Sequence, residues 1–214
     1  MRRLIAAALA VVMLLAPQIR AAEEYADVWF GSETDAKRIA LTFDDGPKAG
    51  TTDVLLDGLK ERGASATFFV VGEQAQRYPE LVRRMGAEGH QVGNHTYNHI
   101  GAFKHWAITY AVNAQKANAL IKSHLFRPPH GWMRHSEYWW LNKYYKIIMW
   151  DLVTRDYSKW MTADDVLNNV KRYVRNGSII TFHDSLKSID KLHYALPEAI
   201  KWLKLHGYEF KIFD

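Results

Sequence analysis

The chain reads as an α/β protein built on a parallel sheet, and three observations predict it. Short apolar runs rich in β-branched and aromatic residues alternate with helical patterns from Arg38 onward. The composition is globular: 214 residues, 48% hydrophobic, with eight Trp and eleven Tyr. No internal repeat, low-complexity tract or linker interrupts the alternation after residue 30. Repeated strand–helix units predict helices outside a parallel sheet, as an open doubly wound sheet or as a barrel.

The elements follow in order. Ile39 to Phe43 is a short apolar strand ending in Asp44-Asp45-Gly46-Pro47. Thr52 to Arg62 is a helix with Leu55, Leu56 and Leu59 on one face. Thr67 to Val71 is a buried strand. Pro79 to Glu88 is a helix with Pro in its first turn, and His90 to Val92 is a strand. Ile108 to Ser123 is a helix and Ile147 to Trp150 a strand. Thr162 caps a helix whose inner face carries Val166, Val170, Tyr173 and Val174. Ser178 to Phe182 is a strand, Leu196 to Leu205 the last helix, and Tyr208 to Phe213 a closing strand.

The N-terminus is of another kind. Arg2 and Arg3 precede an uncharged, mostly apolar run from Leu4 to Ala16, then Pro17 and the small residues Ala21 and Ala22. That pattern predicts a signal peptide over 1–22, a lead-in over 23–36 and a domain over 37–214. The apolar run of about 13 residues is shorter than the ~20 needed to span a bilayer as a helix. No stable membrane span is therefore expected after cleavage, and the product is expected in the periplasm or outside the cell. Losing Arg2, Arg3 and Arg20 lowers the net charge from +5 to +2. That removes the electrostatic case for nucleic acid. With no cysteine, the exported chain folds on its core alone. A monomer is expected.

Polar clusters sit just after the strands, where a parallel barrel gathers its active site. Asp44-Asp45 ends an apolar strand, where two carboxylates need a compensating charge such as a divalent cation; the same residues also suit a turn. His95 and His99, four apart, would share one helical face and one cation, although such pairs are often surface residues. With one Asp they make a two-His, one-carboxylate set that leaves positions open. Arg127 lies beside Pro128-Pro129, which stiffen its backbone. His183 follows an apolar strand, and burial and neighbours would tune it as an acid.

The order Thr42-Phe43-Asp44-Asp45-Gly46-Pro47, His95-x-x-x-His99, Arg127-Pro128-Pro129-x-Gly131, Arg155-Asp156-Tyr157 and Phe182-His183-Asp184 resembles the polysaccharide deacetylases, carbohydrate esterase family 4 or the NodB-homology family. The resemblance spans residues 37 to 214. It implies a distorted (β/α) barrel with fewer strands than a TIM barrel, and a divalent metal, usually Zn2+, with Co2+ or Ni2+ able to substitute. It assigns Asp44 as general base, Asp45, His95 and His99 as metal ligands, and Arg127 as the partner of the base. Asp156 becomes partner to the base or orienter of the acid, and His183 the general acid. A backbone N–H near His130 would face the oxyanion. His130, Tyr157 and Thr181 stand at substrate-facing positions and depart from the family's common Tyr, Trp and Leu. The implied activity is removal of N-acetyl groups from N-acetylglucosamine-containing polysaccharide. The alternatives are an O-acetyl esterase acting on a glycan such as xylan, and a silent glycan-binding module. Trp132, Trp139, Trp140 and Trp160 are candidates for stacking on sugar rings.

Overall fold

The computed structural model describes residues 28–29, 31 and 35–213. The segment read as a signal peptide lies outside them. Nine strands form the sheet: β1 (Val28–Trp29), β2 (Arg38–Asp44), β3 (Thr67–Val70), β4 (Gln91–Asn94), β5 (Leu125–Phe126), β6 (Lys146–Ile148), β7 (Leu152–Val153), β8 (Ile179–His183) and β9 (Glu209–Phe210). Their order is β1-β6-β5-β4-β3-β2-β8-β7, with β9 beside β2, and every pairing is parallel. The lead-in thus contributes β1.

Connectivity requires the sheet to curl. β6 and β7 stand six places apart on this path, about 29 Å in a flat sheet at ~4.8 Å per strand. Only residues 149–151 join them, and that stretch reaches at most ~14 Å. The edges must therefore approach each other, which makes the sheet a distorted barrel. Only β2, β3, β4, β6 and β8 among the described strands exceed two residues, unlike the eight full strands of a TIM barrel.

Helices α1 (Thr52–Glu61), α2 (Gly72–Arg77), α3 (Pro79–Ala87), α4 (Ala107–Ile121), α5 (His135–Leu141), α6 (Ala163–Tyr173) and α7 (Ile189–Leu205) complete the described helices beside two short 3-10 turns. Leu55, Leu56 and Leu59 of α1 are buried, each stabilising by roughly 1.5–3 kcal/mol. The hydroxyl of Thr162 accepts from the Asp165 N–H at 3.1 Å, and Asp165 accepts from the Thr162 N–H at 2.9 Å, a closed capping box. Among the described residues no helix is long and apolar enough to cross a membrane.

Four expectations about elements need correction. Tyr173 is exposed, because α6 turns Val166, Leu167 and Val170 inward and ends there. The last helix begins at Ile189, since Ile189, Leu192, Leu196, Ala199 and Leu203 continue one buried face through Pro197. The closing strand is only Glu209–Phe210. Trp150 lies beyond β6, in the turn that crosses to β7.

Candidate active site

The register of the central strands builds the site. β2 and β8 pair so that Thr42 faces Thr181 and Asp44 faces His183. Both strands end at one rim, and the backbone carbonyl of Asp44 accepts from the Asp184 N–H at 2.8 Å. A cavity of about 590 Å³ opens there. Its floor carries Asp44, Asp45, His95, His99, Thr181 and His183, and its walls include His130, Trp150, Val153 and Tyr157.

Three ligand atoms, one each from Asp45, His95 and His99, converge within 4.8 Å of one another. His95 Nε2 lies 3.8 Å and His99 Nε2 3.2 Å from Asp45 Oδ1. These are the ligand-to-ligand spacings expected around a cation held at about 2.0–2.2 Å. His95 Nδ1 is 2.8 Å from the Arg127 carbonyl, which fixes that nitrogen as a donor and leaves Nε2 with its lone pair. Burial pushes the His95 pKa down to about 4, so the ring is neutral at pH 7, the ligating form. Burial opposes the Asp45 charge, but the hydrogen bond from His99 and the electrostatic influence of the surrounding histidines outweigh it and hold the carboxyl below the usual range. The set fits a divalent cation.

This histidine pair is not helical, contrary to the expectation of one helical face. Residues 95–99 form a loop after β4, with Thr96 and His99 in the left-handed region at φ 65° and 56°. The loop is held from both sides. Asn94 Oδ1 accepts from the Thr96 N–H at 2.9 Å and Asn113 Oδ1 from the Tyr97 N–H at 2.8 Å. The carbonyls of Thr96 and Tyr97 accept from the first two N–H groups of α2. Sequence reasoning passed over both asparagines: Asn94 is an amide next to the motif, and Asn113 lies on a separate helix with no local signal.

The second group is a buried polar array. Arg127, fully buried, donates through Nη1 to Asp44 Oδ1 at 2.7 Å, Thr42 Oγ1 at 2.8 Å and Thr181 Oγ1 at 3.2 Å. Its Nε and Nη2 reach the carbonyls of Ile148 and Met149 at 3.1 and 2.7 Å. Thr42 gives its proton to the Ile180 carbonyl at 3.0 Å, so in the 3.1 Å contact between the hydroxyls Thr181 is the donor. The Thr181 hydroxyl is thereby turned to Arg127 and Thr42, neither of which lines the cavity.

The third group is His183 with Asp156. His183 Nδ1 lies 2.8 Å from Asp156 Oδ1, and the His183 N–H donates to Oδ2 at 2.7 Å. Asp156 is thus bonded to His183 through both of its carboxylate oxygens. Burial lowers the His183 pKa, but Asp156 first, then Asp44 and Asp45, more than reverse this and raise it. Tyr157 packs edge-on to the His183 ring at 4.7 Å, and His130 edge-on to His99 at 4.8 Å.

Trp150 was missed as a cavity residue. A Cβ on Gly131 would lie 2.4 Å from its indole, and Gly131 sits at φ 72°, so only glycine fits that position. Asp184 was quoted in the motif without a role. It accepts from the Thr51 and Thr52 hydroxyls at 2.5 Å each and ties the loop after β8 to the start of α1. Of the four tryptophans proposed for stacking, none lines this cavity.

Residues 31–144 match the sequence model of the family described as polysaccharide deacetylase. The chain belongs to the polysaccharide deacetylase family. It is 34% identical over 200 residues to a peptidoglycan-N-acetylglucosamine deacetylase of Bacillus cereus, covering 88% of this chain and 70% of that protein. It is 33% identical over 185 residues to a peptidoglycan-N-acetylmuramic acid deacetylase of Bacillus subtilis, covering 83% of this chain and 38% of that one. The fold superposes on the crystal structure of the Bc1960 peptidoglycan N-acetylglucosamine deacetylase in complex with 4-naphthalen-1-yl-N-oxidanyl-benzamide. The TM-score is 0.82 at 32% identity, over 90% of this chain and 93% of the other. Of the residues named from the sequence in this deacetylase-family barrel, eight line the cavity, Arg127 and Asp156 bond to Asp44 and His183, and the four tryptophans lie elsewhere.

Proposed function

We propose that this chain is an exported, zinc-dependent hydrolase that removes N-acetyl groups from N-acetylglucosamine-containing envelope polysaccharide, with peptidoglycan as the substrate class. The observation that carries it is the meeting of three groups on one cavity: the Asp45–His95–His99 donor set, the Asp44–Arg127 pair and the His183–Asp156 pair. The relatives' activities on peptidoglycan and the apolar N-terminal run support the substrate and the export.

Asp45, His95 and His99 would hold the cation, which when bound polarises a carbonyl and lowers the pKa of water. The chain's own groups do the rest. Asp44, bonded through Oδ1 to the buried Arg127 guanidinium, takes the proton of the attacking water. A C–O bond forms at the acetamide carbon. His183, whose Nδ1–H is held by Asp156, delivers the proton from Nε2 to the leaving nitrogen as the C–N bond breaks. Acetic acid and a free amine leave, Asp44 passes its proton to solvent and His183 takes one up, which restores both groups. Thr181, Tyr157 and His130 form walls around the acyl group and sugar.

Acetate release from peptidoglycan, chitin oligomers and acetylated xylan, measured on metal-stripped protein with and without zinc, tests this reading. Zinc should restore release from the amino-sugar polymers, and Asp44→Asn should lower it at least about 100-fold. Release from xylan alone would establish an esterase instead. Zinc and glycan binding without any acetate would establish a silent module.

A further inference from the structure

The proposed chemistry uses no cation of the cavity wall, yet the wall has two. Lys48 and Lys187 are the lysines lining the cavity, and its acidic lining residues are Asp44 and Asp45 alone. Asp44 is neutralised by Arg127, and Asp45 faces His95 and His99. Neither ammonium has an ion pair or hydrogen bond among the described residues. Asp184, three residues before Lys187, has both oxygens taken by Thr51 and Thr52.

The two lysines are also held together by the backbone. Lys48 donates its N–H to Thr52 Oγ1 at 2.7 Å, and its carbonyl accepts from the Thr51 and Thr52 N–H groups at 3.2 and 3.0 Å. The same Thr51 and Thr52 hydroxyls bind Asp184, three residues before Lys187, and Lys191 Nζ holds the Lys187 carbonyl at 3.1 Å. One side of the cavity mouth therefore carries two ammonium groups on a fixed backbone, and the Lys48 charge acts on the buried Asp184 without an ion pair between them. A neutral glycan leaves that charge without a partner.

We propose that Lys48 and Lys187 form a subsite for a carboxylate carried by the glycan next to the acetylated sugar. The inference rests on the deacetylase reading above and deepens it: the substrate is an acidic amino-sugar polymer, not a neutral one. Two sources share this chemistry, an ether-linked acid on the neighbouring sugar and the carboxylates of an attached peptide.

The test compares three glycans of equal length on the full, zinc-loaded protein: a neutral N-acetylglucosamine oligomer, a peptidoglycan strand with free ether-linked acids, and the same strand bearing its peptides. The readouts are kcat/KM for acetate release and, separately, Kd from the change in tryptophan fluorescence. In the double variant Lys48→Gln/Lys187→Gln the acidic-over-neutral ratio should fall about fivefold, the sum of two exposed pairs. Raising salt from about 0.05 to about 0.5 M should erode the wild-type ratio in the same way. The acidic glycan that shows the lysine dependence names the source. An unchanged ratio in the double variant overturns the subsite. If no glycan yields acetate, the deacetylase reading fails, and the Kd ratio still decides the subsite.

Discussion

Single residues carry the cost of this site. Asp45, Thr96, His99, His130 and Arg155 all hold positive φ without being glycine, and all lie in or next to the cavity loops. Such conformations cost roughly 1–3 kcal/mol each and persist where surrounding bonds impose them. The motifs made these residues visible as chemistry, because Asp, His and Arg are conspicuous by type. They did not reveal the residues that aim them, such as Asn94 and Asn113, which look like ordinary strand and helix residues. His183 shows how aiming becomes function. In the proposed reaction its raised pKa would keep the proton that an amine leaving group needs, so kcat should fall as pH rises through that value, above the ordinary 6.5. In Asp156→Asn the main raising influence is gone, and the alkaline limb should move to lower pH together with a lower kcat. A pH profile of kcat checks this; an unmoved limb would remove Asp156 from the role of tuning the acid.

At the scale of elements, the central strands were legible, and the two-residue strands β1, β5 and β7 and the loops were not. β2, β3 and β8 followed from β-branched and aromatic runs, and α1 from its leucine face. The histidine loop was misread because the four-residue spacing satisfies a helix as well as a turn, and only the αL residues and Asn bonds decide between them. The loop after β8 offers a sharper test. Asp184 is buried, and its pKa is raised to about 6, first by burial, against the Thr51 and Thr52 hydrogen bonds. A carboxyl raised from 3.8 binds more protons folded than unfolded between about pH 4 and pH 6, so its contribution to stability falls as pH rises through that window. His95 works oppositely below its ordinary 6.5, since its folded pKa is lowered. The Asp184 part is isolated by difference: Tm of wild type minus Tm of Asp184→Asn should decline from pH 4 to pH 6. A flat difference would show that Asp184 is not the buried titrating group. Gly46→Ala probes the same packing, because its Cβ would lie 2.0 Å from Asp184 Oδ2, and should destabilise by about 1–3 kcal/mol in chemical denaturation.

At the scale of the whole molecule, one side chain joins the barrel across its interior. Arg127 leaves the end of β5, passes over the Phe69 ring at 4.1 Å, and bonds groups on β2 and β8 and the chain leaving β6. The sequence showed an arginine stiffened by two prolines. It did not show that the crossing from β6 to β7 closes the sheet around it, because closure depends on strand order, which no local pattern encodes. The pair it makes with Asp44 is desolvated on both sides, with exposures of 0% and 5%. Removing one partner of such a pair leaves a buried charge and typically costs 3–5 kcal/mol, whereas removing both costs much less than the sum. Arg127→Met should therefore unfold at clearly lower denaturant than wild type, and Arg127→Met/Asp44→Asn should recover much of that loss while staying inactive. Equilibrium denaturation of the four proteins of this cycle measures the coupling. Additive losses would mean that Arg127 supports the barrel through its carbonyl bonds alone, and that the charge of Asp44 is stabilised by something other than the guanidinium beside it.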